Sequence, residues 1–96
     1  MTTLDRLQRW YAAQCDDDWE HQQGVEISTL DNPGWRVVID LEGTPLAGIA
    51  FAEVSDLGPE ADWIRCWVEG GRFHGAGGAN MLDAILGHFL DWAEGV

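Results

Sequence analysis

A chain of 96 residues that is 46% apolar and carries six tryptophans has room for one hydrophobic core, spanning residues 1–96 as a single domain, and is too apolar for a disordered acidic tail. Its 17 acidic residues against five arginines and no lysine give a formal net charge of −12. Such a surface keeps a protein soluble, argues against nucleic acid and anionic membranes as partners, and steers towards basic ones. No basic start followed by an apolar run opens the sequence, and no apolar segment approaches the roughly 20 residues of a membrane span. A cytoplasmic chain with Cys15 and Cys66 reduced is the expectation.

Helical spacing of Leu4, Leu7, Tyr11 and Gln14/Cys15 predicts a first helix over residues 3–14, capped by Thr2 or Thr3 with Asp5 in its first turn. The run Asp16, Asp17, Asp18 then stops it, in a place where carboxylates oppose the helix dipole. VEISTL (25–30) alternates as a strand. DNPGW (31–35) reads as a type II turn with Pro-Gly at its centre. WRVVIDL (35–41) is a second strand with Trp35, Val37, Ile39 and Leu41 on one face. After the turn EGTP, residues 47–54 predict a third strand; after the loop DLGPEA, residues 62–69 predict a fourth. In that last strand Ile64, Cys66 and Val68 point to the core, while Trp63, Arg65, Trp67 and Glu69 point away. The tryptophans there form either a binding surface or rings lying flat over neighbouring strands. GGRFHGAGGAN (70–80) reads as a glycine-rich loop, and the helical period returns from Asn80 to Ala93 as a final amphipathic helix ended by Gly95. The expected fold is α+β: a four-stranded antiparallel meander sheet flanked by an N-terminal and a C-terminal helix, in the order α-β-β-β-β-α.

Few residues are arranged for chemistry. Cys66 and Arg72 match the spacing of thiol phosphatases, which hold a phosphate between a thiolate and an arginine. Here Cys66 falls inside an alternating strand, and Glu69 would bring negative charge into the cradle. Cys15 and His21 can be paired as thiol and imidazole, but no oxyanion donor accompanies them. HGAGGAN lacks the lysine and hydroxyl of a phosphate loop. DDDWEH supplies hard oxygens and His21 without the spacing of a calcium loop or a zinc site. No catalytic residue, cofactor or metal is therefore expected, with a small thiol-dependent enzyme as the alternative.

LQRWYAAQCDDDWEH (7–21), ISTLDNPGW (27–35) continuing into RVVIDL, and DWIRCWVEGGRFHGAGGANMLDAILGHFLDWA (62–93) together resemble the bacterial immunity protein 53 family. Each motif is modest; their combination, in order over nearly the whole chain, is specific. One departure is Gly78-Ala79-Asn80, where the family pattern has a proline after the glycines. The resemblance implies an antidote of a polymorphic toxin system, which binds a cognate toxin domain and neutralises it, and it implies no catalytic residues. If the toxin is a nuclease, its cleft is basic. Asp16, Asp17, Asp18 and Glu20 are then expected to meet it, with Trp19 as an anchor and Trp63 and Trp67 as a second contact surface. The alternative for Trp19 and His21 is packing at the corner between helix and sheet. The chain is expected to be a monomer or a homodimer, the latter an interaction module joined through the Trp63/Trp67 face.

Overall fold

The computed structural model describes residues 1–58 and 61–96. Along the chain run α1 (Thr3–Gln14), the short α2 (Trp19–Gln22), β1 (Val25–Leu30), β2 (Gly34–Asp40), β3 (Val54–Asp56), β4 (Ile64–Glu69), β5 (Arg72–Gly77) and α3 (Leu82–Glu94). The α+β class and the two terminal helices stand. The sheet, however, has five antiparallel strands in the order β1-β2-β5-β4-β3, so it is not a four-stranded meander.

Two corrections account for the difference. The glycine-rich segment is a central strand, because Gly70 and Gly71 adopt φ of +61° and +74° and form a two-residue hairpin turn between Glu69 and Arg72. The expected third strand over residues 47–54 is mainly turn and irregular chain, with Leu46 buried and Phe51 packed on the core as it crosses to the far edge. Thr44 fixes the start of that crossing, its hydroxyl donating to Leu41 O and accepting from Leu46 N–H. Only Val54–Asp56 pairs with β4. The first hairpin also differs in detail: Gly34 pairs with Leu30 inside the sheet, so residues 31–33 form the connection and Pro-Gly does not sit at its centre. Of the expected loop over residues 56–61, Asp56 belongs to β3, and Pro59 and Glu60 lie outside the described residues.

α1 begins as the sequence requires. Thr2 Oγ1 accepts from the Asp5 N–H at 3.0 Å, and the Asp5 carboxylate accepts from the Thr2 N–H at 3.1 Å, a reciprocal capping box. The Thr2 N–H, followed by the Thr2 hydroxyl, holds the Asp5 carboxyl below its ordinary pKa. Both long helices lie on one face of the sheet. α3 rests directly on β5, β4 and β2, and α1 lies beside it. Arg6 ties the two together, donating to both Glu94 oxygens at 2.9 Å and to Asp91 at 2.7 Å.

The core explains the glycines of β5. Register places Val37, Gly75 and Cys66 in one row, and Ile39, Phe73 and Val68 in the next. A side chain at Gly75 would collide with Ile85 of α3, and one at Gly77 would press on Met81 and Ile85. Bare backbone at those two positions lets the helix sit down on the sheet, where Phe73, Phe89, Ile85 and Leu90 are fully buried. Trp10 meets Phe89 edge-on at 4.9 Å, and Phe51 bridges Phe73 and Trp92 in the same manner.

Candidate functional site

The acidic segment is a built turn rather than a frayed helix end. α1 stops at Cys15, and Asp17 takes a left-handed φ of +73°. The Asp16 carboxylate accepts from the Asp18 and Trp19 N–H groups, at 3.0 and 2.9 Å. Glu20 reaches back, its two oxygens accepting from Asp16 and Asp17 N–H at 2.9 Å each. The backbone donor of Trp19, followed by that of Asp18, holds the Asp16 carboxyl below its ordinary pKa; Glu20 is lowered by its own N–H and by those of Asp16 and Asp17. These two carboxylates thus serve the start of α2, where negative charge suits the dipole. Among the described residues no backbone hydrogen bond enlists the side chains of Asp17 or Asp18, and both residues are exposed.

Trp19 lies under this turn, 6% exposed, its indole N–H donating to Glu42 O at 2.8 Å and its ring edge-on to Trp10 and Tyr11. Its contacts join α1, α2 and the chain after β2, while His21 is exposed. The turn, Gln22, Gln23 and Glu42 surround a shallow cavity of about 190 Å³ at the start of β1.

The sheet face turned away from the helices carries the other aromatic site. Trp67 stacks on His74 across the β4–β5 pair, with ring centres 5.2 Å apart and planes 12° apart. The Arg65 guanidinium lies 4.7 Å from the Trp67 ring centre, and the indole N–H donates to Glu69 at 3.4 Å. Next to them Arg72 donates to Asp40 at 2.9 Å, and Asp40 also accepts from the Gly24 N–H. Arg36, Arg65 and Arg72 of this face are three of the five arginines in a chain of net charge −12. Trp63 is apart from this group. It lies just before β4, bordering a cavity of about 340 Å³ with Asn32, Pro33, Ala61 and Ala79. That cavity is at the far end of the β1–β2 hairpin from the acidic turn, about 20 Å away for a six-residue strand. Sequence spacing put Trp63 and Trp67 on one surface and overlooked His74, which shares a row with Trp67 only once residues 72–77 are recognised as a strand.

Cys66 and Arg72 do not form the thiol–arginine site that their spacing suggested. Cys66 is fully buried in the core, and burial pushes its pKa up to about 12, which keeps it a neutral thiol. Arg72 lies across a tight hairpin from it, on the opposite face and paired with Asp40, so no anion cradle joins the two. The Cys15 thiol contacts Tyr11 O at 3.4 Å. Among the described residues no three His, Cys, Asp or Glu side chains cluster as a metal site. No described helix is long and apolar enough to cross a membrane.

These features define an α+β fold that carries an acidic turn, an arginine–aromatic stack and, among the described residues, an unpaired sheet edge. The chain belongs to the immunity protein 53 family, whose model matches residues 4–94. No curated protein and no solved structure matches it.

Proposed function

We propose that this protein protects its cell by binding a cognate toxin domain stoichiometrically in the cytoplasm, without catalysis. Membership of an immunity family over nearly the whole chain carries the reading. The net charge of −12 supports a basic toxin surface, such as the substrate cleft of a nuclease, reached by electrostatic steering. In this reading Asp17 and Asp18 supply exposed charge, while Asp16, Glu20 and Trp19 hold the turn that presents it. Trp67 and Trp63 extend the contact surface towards the two ends of the sheet.

Co-expression with the toxin domain encoded beside it should restore growth and yield a complex whose affinity falls as salt rises. Reversing Asp17 and Asp18 to lysine should weaken the complex, chiefly through slower association, and leave the fold intact. No rescue and no complex would overturn the reading. Salt-insensitive binding would remove the electrostatic part of it.

A further inference from the structure

The two edges of the sheet are unlike. β3 is three residues long and is flanked or ended by Glu53 and Asp56, the short and charged design that discourages strand pairing. β1 is twice as long, and its single charged residue is Glu26. It has no proline or lysine, and its pairing with β2 is regular from Val25 to Leu30, without a bulge. It is the last strand on its side, so among the described residues nothing pairs with its outer edge.

The direction of its free backbone groups follows from one bond. Asp40 N–H donates to Gly24 O at 3.0 Å, so Gly24 turns its backbone towards β2. By the alternation of an antiparallel ladder, Glu26, Ser28 and Leu30 do the same, and Val25, Ile27 and Thr29 direct their N–H and C=O groups outward. The side chains of those three residues lie on the helix side, in rows with Ile39, Val37 and Trp35. There α1 covers β1 incompletely. A groove of about 360 Å³ runs between them, lined by Leu7, Gln8, Tyr11, Gly24 and Val25. Ile27 and Tyr11 are each 39% exposed beside it.

We propose that this edge and groove take an extended segment of the toxin as a sixth, antiparallel strand, a reading that rests on the immunity function proposed above. Backbone bonds to Val25, Ile27 and Thr29 hold the segment, and its alternate apolar side chains fill the groove against Tyr11 and Ile27. Charge selects the occupant. The acidic turn and Glu42 stand beyond the start of β1, and Asp31 stands beyond its end. Two copies pairing antiparallel would set Asp31 of each against the acidic turn of the other, so like charges oppose a homodimer here. A segment with basic residues at both ends is complementary.

Amide hydrogen exchange on the full chain, free and mixed with the toxin domain encoded beside it, tests this. In the free chain the Val25, Ile27 and Thr29 amides should exchange quickly, and in the complex they should be protected. Thr29→Pro removes an outward N–H without breaking the β1–β2 ladder, and Ile27→Lys sets a cation in the groove. Each should weaken the complex by about 100-fold, with the circular dichroism of the folded chain retained. A complex in which the three amides still exchange freely overturns edge docking and leaves the immunity reading standing. No complex with the unaltered chain overturns both. Protection in the free chain that grows with its concentration shows a second copy on the edge and overturns the toxin segment as occupant. Should Thr29→Pro unfold, the exchange pattern of the unaltered chain decides alone.

Discussion

The two faces of the sheet use alternate residues of the same strands and answer to different constraints. On the helix face Val37, Ile39, Cys66 and Phe73 have no exposed surface, and glycines at 75 and 77 set how near α3 can come. On the other face the same strands offer Arg36, Arg65, Trp67, Arg72 and His74, held by stacking and one ion pair and left open to solvent. Changes to the first face therefore act on folding. Changes to the second act mainly on what the protein can touch.

The largest expected effect comes from breaking the helix face. Gly75→Val would drive a branched side chain into Ile85 and Phe73 and should cost about 3 kcal/mol, a large part of a small domain's stability. Denaturant unfolding would show it as a lower midpoint with an unchanged slope. Trp67→Ala sharpens the contrast from the other side: it removes the His74 stack and the Arg65 contact and should cost about 1 kcal/mol by the same measurement. A loss for Trp67→Ala equal to that for Gly75→Val would show that the open face also supports the fold.

The smallest effect lies outside the sheet. Asp16→Ala removes the acceptor for two N–H groups at α2 and should lower the thermal midpoint modestly at neutral pH. Because the folded-state pKa of Asp16 is depressed, its contribution is complete above the ordinary carboxylate range and is lost as pH falls through the folded value. The gap between the unaltered chain and Asp16→Ala should therefore narrow as pH falls below the ordinary carboxylate range. A gap of constant size would show that the carboxylate charge plays no part.

Periodicity made much of this fold readable. The α1 bounds and the inward sets Val37/Ile39/Leu41 and Ile64/Cys66/Val68 follow from spacing alone, and the structure chooses Thr2 over Thr3 as the cap. β5 did not, because Gly75 and Gly77 occupy the inward positions where an apolar alternation would have marked a strand. Gly70-Gly71 between Glu69 and Arg72 was the available sign, a two-residue hairpin turn. Residues 47–54 gave the opposite error. Ile49 and Phe51 alternate like a strand, but this chain follows the core margin, where Trp92 N–H binds Ala50 O instead of a neighbouring strand. In the acidic turn the residues at issue were visible, but their division of labour was not. Which carboxylates hold backbone N–H groups depends on the φ of Asp17, which a run of aspartates does not reveal.

The seam between β2 and β5 also governs when the protein can exist during its synthesis. The β1–β2 hairpin is the first part of the sheet to emerge, yet one of its sides is an empty edge until β5 has been made. Its apolar face has no cover until Ile85, Phe89 and Leu90 follow. A growing chain on the ribosome thus holds an unfinished sheet and an uncovered core until residues 72–94 have been made. The core closes only when α3 comes to lie on the sheet beside α1, so the helix made after β5 decides the moment at which this fold is complete.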